Sequence, residues 1–340
     1  MSLGTVKGGT VHLPVLLAET IERLNVRPGG VYIDATLGGG GHSSEILRLA
    51  GDEGRLLGID RDEEALTRTK ARLASLPGTK VYVHGNHSDL ARIADENGFD
   101  KVDGILIDTG VSSDQLDTTE RGFSFRNDGP LDMRMDPGQG ETAADLLAKL
   151  SVDEMADLFR TYGEEPRAGH VARAIDKARG FAPITTTGQL ADIVSRALGG
   201  PGRFRGRHPA TRVFQALRMV VNGEVESLQA ALDAALTHLR PGGRLAVITF
   251  ESLTDRLVKR CFADHEGRLV SLQQGGARWE GLLPRVIRVD HRAIVAAKAE
   301  VQANPRSRSA KLRTVRMPLP EELSQDGQKY SNSFKNAEIE

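Results

Sequence analysis

Only one cysteine, Cys261, occurs among the 340 residues. That excludes an internal disulfide framework and a zinc site built from several cysteines. Lack of disulfides suits a reducing cytoplasm. Aromatic residues are scarce at 4%, which leaves few platforms on which loose bases could stack. Net charge is nearly absent, −1 from 45 basic and 46 acidic side chains. A bulk polycation is thereby excluded, while local basic patches are not. No apolar run reaches the roughly 18 residues a membrane helix needs. The opening MSLGTVKGGTVHLPVLL carries one lysine and resembles neither a secretory leader nor an Arg-rich transit peptide. The expectation is a cytoplasmic chain with no membrane segment. What is present, 39% hydrophobic and 27% charged residues, is the balance of a soluble domain with a sizeable core.

Short apolar runs that end in Asp or Gly alternate with amphipathic stretches. The runs are 31–36 (VYIDAT), 55–60 (RLLGID), 80–84 (KVYVH), 102–108 (VDGILID) and, after Pro241-Gly242-Gly243, 244–250 (RLAVITF). Helical patterns fill 42–50, 62–76 and 89–97. This alternation predicts an α/β fold with a parallel sheet and crossover helices. About 135 residues separate the fourth and fifth strands, where a dozen or so suffice for a crossover. Something is inserted. Residues 117–137, rich in Gly, Asp and Arg, read as a structured loop, and 142–198 as helices with Ser151 or Thr187 as N-caps. A return helix over 211–239 breaks near Asn222-Gly223. The predicted division is a core over 1–116 and 211–316, an inserted helical domain over 117–210, and a polar, disordered tail over 317–340.

DATLGGGGH, 34–42, ends the first strand and opens a helix. Glycines there let the backbone approach a ligand, either a dinucleotide pyrophosphate or the methionine part of S-adenosylmethionine. Asp60 ends the second strand about twenty residues after Gly40, where an acid binds ribose hydroxyls. Both features fit NAD as well as the methyl donor. Asp34 directly before the glycines favours the donor, since its carboxylate attracts a cationic methionyl end and repels a pyrophosphate.

The fourth strand leads into GVSSDQLD and ERGFSFRNDGPLDMRMD, 110–136. With HLPVLLAET, DATLGGGGHS, GIDRD, TYGEE, HPATRVFQALRMVVNGE, LRPGGRLAVITF and NPRSRSAKLR, this block resembles the bacterial MraW family, the small-subunit ribosomal RNA cytosine-N4 methyltransferases. The resemblance spans most of the chain. It implies a Rossmann-like class I S-adenosylmethionine-dependent methyltransferase with an inserted helical domain. It places the donor site on Gly40, Gly41, His42, Asp60, His87, Asp108 and Gln115. Departures stand at Thr109, where the family has Leu, and at His87, where it has an aromatic. TFESLTDR replaces SFHSLEDR, which puts Glu251 and Thr254 at the changed positions, and 278–294 (RWEGLLPRVIRVDHRAI) also differ.

Cytosine's exocyclic amine is a poor nucleophile, because its lone pair is delocalised. The expected site must hold nitrogen and methyl in line and accept amine protons. Asp108 is the expected organiser, Asp132 and Arg134 shape the pocket, and Glu251 is a candidate proton acceptor. No metal cluster at ligand spacing is visible, and the reaction needs none. Two acid-free runs supply cations for phosphates: Arg203, Arg205, Arg207 and Arg212, then Arg306, Arg308, Lys311 and Arg313. The implied partner is small-subunit ribosomal RNA or its particle. A homodimer is one option for the assembly. A divergent paralogue acting on another RNA or a small molecule, an NAD-dependent oxidoreductase and a non-catalytic RNA-binding assembly factor are the competing readings.

Overall fold

β-branched and leucine-rich runs build the strands wherever a Gly or Asp stops them at the rim. In the computed structural model, which describes residues 14–200, 208–271 and 277–323, the strands are β1 (Val31–Asp34), β2 (Arg55–Asp60), β3 (Thr79–His84), β4 (Val102–Asp108), β5 (Leu239–Thr249), β6 (Arg268–Ser271), β7 (Ala277–Glu280), β8 (Ile287–Arg288), β9 (Ile294–Val295) and β10 (Lys311–Arg316). The main sheet runs β3-β2-β1-β4-β5-β10-β8, with β9 also pairing β10. Its first five strands are parallel and β10 is antiparallel to β5. Strand order reverses between β1 and β4, which opens a crevice beyond their carboxyl ends.

The molecule divides into two compact units, Met1–Gly110 with Leu228–Glu340, and Val111–Ser227. In the first, helices α1 (Leu17–Leu24), α2 (Gly41–Ala50), α3 (Glu63–Leu73) and α4 (Leu90–Glu96) follow the strand alternation. Side chains of one strand point alternately to opposite faces. Thus Ile105 and Ile107 of β4 join Leu245 and Val247 of β5 in one core, while Leu106, Ala246 and Ile248 join Leu47 and Leu56 in the other. Both faces are covered, as a parallel sheet requires.

The second unit holds α5 (Ser113–Asp117), α6 (Ala143–Lys149), α7 (Val152–Thr161), α8 (Ala168–Arg179), α9 (Thr187–Leu198) and α10 (Thr211–Val221). Capping boxes open α5 (Ser112, Gln115), α6 (Thr142, Asp145), α7 (Ser151, Glu154) and α9 (Thr186, Gln189). Each satisfies two amides that the first turn leaves unpaired. The cap of α9 is therefore Thr186; Thr187, offered by the sequence, is the first helical residue and donates its hydroxyl to the Asn127 carbonyl. Met133, Met155, Phe159, Val171, Leu190 and Leu217 pack into this unit's own core.

This unit is longer than the predicted 117–210. Its far edge moves to Ser227 because α10 buries Val213, Phe214, Ala216 and Leu217 in the helical core. Asn222 adds to this: its amide accepts from the Met135 N–H at 2.8 Å and donates to the Met133 carbonyl at 2.8 Å. The return helix breaks where Asn222-Gly223 stands, and α11 (Glu224–His238) then carries Leu228, Ala231, Leu232 and Leu236 into the sheet core. Helices α12 (Ser252–Glu266) and α13 (Lys298–Ala303) complete the first unit. The predicted disordered tail also starts too early. Residues 317–323 are held by Arg316, which grips the Glu322 carboxylate at 2.5 and 2.6 Å. Residues 324–340 lie outside the described ones.

Candidate active site

Three carboxylates end three neighbouring strands: Asp60 on β2, Asp34 on β1 and Asp108 on β4. The sheet register sets them side by side at the rim of the crevice. Asp34 accepts from Ser43 Oγ at 2.7 Å and from the Thr36 amide at 3.2 Å. Thr36 turns its own hydroxyl back to accept the Asp108 amide at 2.6 Å. The ends of β1 and β4 are thereby locked together through one side chain.

The glycine loop follows from this rim. Gly38 and Gly40 have φ of 47° and 69°, a region that costs other residues strain. Asp60 accepts from the Gly38 amide at 2.7 Å and the Asp62 amide at 2.9 Å, Thr69 donates to the Gly38 carbonyl at 2.5 Å, and Arg72 donates to the Gly39 carbonyl at 2.7 Å. A Cβ on Gly40 would meet Thr69 Cγ2 at 2.4 Å, and one on Gly41 would meet Pro14 Cγ at 2.3 Å. The loop is fixed from behind, and α2 begins on it without a side-chain cap. Its first amides have no intrahelical partner, a natural place for a ligand's acceptor oxygens.

His42 is buried and donates Nε2–H to the Val15 carbonyl at 3.1 Å, which turns the unprotonated Nδ1 toward Asp108 Oδ2, 3.9 Å away. Burial holds His42 neutral, down to about 4. His87, in the turn after β3, is likewise pushed down to about 4 by burial, with the Arg61 charge adding to it. Burial raises Asp34 to about 6. It raises Asp108 to about 8, with the Asp34 charge as second cause. Among the described residues, Asp108 Oδ1 is buried with no hydrogen-bond partner. Loss of water from a carboxylate without a replacement partner is costly, so this oxygen marks where a ligand group is wanted. A cationic or hydrogen-bond-donating ligand with ribose hydroxyls fits this set: acids on three strand ends, a glycine cradle, and uncapped amides.

Gly40, Gly41, His42, Asp60 and Asp108 are thus gathered around one crevice, with His87 on the loop after the next strand. The other predicted residues stand differently. Gln115 is buried as the third residue of α5, and its Oε1 accepts the Ser112 amide at 3.0 Å. Asp132 and Arg134 pair with each other in the helical unit, at 2.9 and 2.7 Å, across Met133 in the left-handed region. This holds the Asp132 carboxyl low. An acid so engaged is a brace for its loop and a poor proton acceptor. Glu251 follows β5, the strand beside β4, at the N-cap position of α12, and its backbone carbonyl accepts from Thr254 Oγ1 at 3.1 Å. The changed Thr254 is therefore an internal brace of that turn. The changed Thr109 also bonds inward, its hydroxyl donating to the Ile248 carbonyl at 3.0 Å.

Two of the predicted phosphate-binding cations already face an acid. Lys311 and Arg313 lie on β10 and reach the Asp255 carboxylate of α12 at 2.8 and 2.7 Å. Read along the chain, their run has no acid; tertiary folding brings one. Arg212 lies 3.8 Å from Glu165. Arg308 is exposed, and Arg306 half-buried, on a short turn before β10. Arg203, Arg205 and Arg207 lie outside the described residues. Ser43 and Thr36 went unnoticed in the sequence, because small hydroxyls in a glycine loop carry no distinctive signal.

An open, mostly parallel sheet with a glycine cradle and strand-end acids at its switch point defines an α/β enzyme of the nucleotide-cofactor-binding class. The MraW methylase family profile matches residues 9–317, and the chain belongs to that family. It is 49% identical over 304 residues to the ribosomal RNA small subunit methyltransferase H of Symbiobacterium thermophilum, across 89% of this chain and 96% of that one. The proteins of the same description from Thermomicrobium roseum and Shewanella loihica are 48% identical over 318 residues and 47% over 304. They cover 94% and 89% of this chain, and 95% and 96% of their own lengths.

Proposed function

We infer that this chain is an S-adenosylmethionine-dependent methyltransferase that modifies the N4 exocyclic amine of a cytidine in small-subunit ribosomal RNA. The family membership supports the reaction. The observation that carries the site is Asp108: a half-buried carboxylate whose Oδ1 is buried without a partner among the described residues, at the switch point beside Asp34 and the glycine cradle. When bound, the donor supplies an electrophilic methyl group on a sulfonium. Asp60 holds its ribose, the tight turn at Gly40 and the Gly41 amide take its methionyl part, His42 and His87 line the cradle, Gln115 is assigned to the donor by resemblance, and Asp34 and Asp108 balance its positive charge.

Asp108 has a second task. Its free oxygen accepts a hydrogen bond, and in its anionic form it takes a proton from an amine whose lone pair must localise. Glu251, on the neighbouring strand end, is the companion acceptor. Asp132 and Arg134 belong to the proposed target side by resemblance. The base reaches the site out of its stack. Cationic side chains, Arg203, Arg205, Arg207, Arg212, Arg306 and Arg308 among them, hold the phosphates around it. We place the reaction in the cytoplasm, on a ribosomal particle, because a folded RNA best presents one base to a protein poor in aromatic side chains. Among the described residues no helix is long and apolar enough to cross a membrane.

Purified protein titrated with S-adenosylmethionine and with NAD by calorimetry tests the cofactor. Label transfer from the donor to small ribosomal subunits, followed by nucleoside mass spectrometry, tests the target. The expected product is a methylated cytidine. Transfer only to transfer RNA or a small molecule would overturn the substrate, and tight NAD binding with none of the donor would overturn the enzyme class.

A further inference from the structure

On the opposite side of Asp108's strand from the glycine loop's helices, α11 and α12 pack on the core that contains Ile105 and Ile107. Asp233 of α11 and Cys261 and His265 of α12 come together there. The Cys261 Sγ, a ring nitrogen of His265 and a carboxylate oxygen of Asp233 lie within 4.8 Å of one another. Cys261 and His265 are one helical turn apart, so both project from the same face of α12. Each is 6% exposed, while Asp233 is exposed, which sets the cluster at the edge of the core within reach of solvent.

A second observation points to a ligand. His265 Nδ1–H donates to the Pro284 carbonyl at 2.9 Å. That bond fixes the tautomer and leaves the Nε2 lone pair to give, the orientation found behind metal-bound histidines. Thiolate, imidazole and carboxylate on three sides suit a borderline-soft, four-coordinate divalent ion. Around such an ion the ligand atoms stand roughly 3.5 Å apart. Closing the cluster to that spacing needs the exposed Asp233 side chain to move and exchange its solvent-exposed hydrogen bonds from Gln229 Nε2, 3.1 and 3.2 Å on its own helix, for the ion.

We propose that Asp233, Cys261 and His265 form a binding site for Zn2+ that staples α12 to α11. On binding, the Cys261 Sγ–H bond breaks, an Sγ–metal bond forms and the proton passes to solvent. With three protein ligands the fourth position falls to water. The site stands apart from the donor crevice and does not rest on the methyl-transfer reading.

The test uses the full chain, stripped with chelator and titrated with Co2+ as a coloured stand-in for Zn2+. One equivalent should produce a thiolate-to-cobalt charge-transfer absorption with the strong visible bands of four-coordination, and Zn2+ should bleach both. Cys261→Ser should abolish the charge-transfer absorption. Asp233→Asn, an exposed change that leaves the core intact, should weaken Co2+ binding by about tenfold or more. Lack of the absorption in the parent protein would overturn the proposal. So would an absorption unchanged in Cys261→Ser, or an Asp233→Asn protein that binds Co2+ as tightly as the parent.

Discussion

Asp108→Asn should make the ligand-free protein more stable while it weakens donor binding. In the folded chain Asp108 titrates at about 8, raised by burial and then by Asp34, against about 3.9 when unfolded. Between those values the folded state holds a proton that the unfolded state has released, so stability falls as pH rises from about 4 to about 8. At pH 7 about three units separate the medium from the unfolded value, and at 1.36 kcal/mol each the folded state forgoes at most roughly 4 kcal/mol. At pH 5 the same arithmetic gives roughly 1–2 kcal/mol. Asparagine has the shape of the protonated acid and does not titrate, so the variant recovers this difference. His42 and His87, held neutral, act in the opposite direction at acid pH: the unfolded state protonates first, and stability is lost as pH falls from about 6.5 through about 4. Parent and variant share that loss, and it cancels. Urea unfolding of both proteins at pH 5 and pH 7 measures the gap, and calorimetry with the donor measures the cost in affinity. A variant less stable than the parent at pH 7, or a gap that does not widen from pH 5 to pH 7, would refute the account of Asp108.

Gly40→Ala places a Cβ 2.4 Å from Thr69 Cγ2 at a φ of 69°. Donor affinity measured by calorimetry should collapse, with a stability loss of about 1–3 kcal/mol in the same denaturation assay. Asp255→Asn removes the partner of Lys311 and of the mostly buried Arg313; unfolding should show a loss of about 3 kcal/mol, since a cation is left in the interior without compensation. Lys311→Ala should change the salt dependence of RNA binding little, because its charge already faces Asp255. Arg203, Arg205 and Arg207 changed together to Ala should lower the slope of log affinity against log salt by about 2–3 in filter binding and leave donor affinity unchanged; an unaltered slope would remove that run from the RNA surface.

The sequence by itself determined the strand-helix alternation, because short continuous apolar runs with polar stops, separated by helical patterns, have one economical solution in a parallel sheet buried on both faces. It located the bounds of β2 and β4, the break at Asn222-Gly223, the glycine loop and the three strand-end acids, since each of these is a local signal in consecutive residues. The long motif block around 110–136 added the family resemblance. Only the tertiary structure decided that Thr36 ties Asp34's strand to Asp108's, that one oxygen of Asp108 is buried without a partner, and that α10 belongs to the helical unit. It decided that Asp255 neutralises Lys311 and Arg313, and that Asp233 meets Cys261 and His265. These facts depend on side chains far apart in the chain, whose distance is set by sheet register and helix packing. Charge and hydrogen-bonding capacity can be read from a residue's type. Whether they are spent inside the protein or kept for a ligand depends on which neighbours folding brings within a few ångströms.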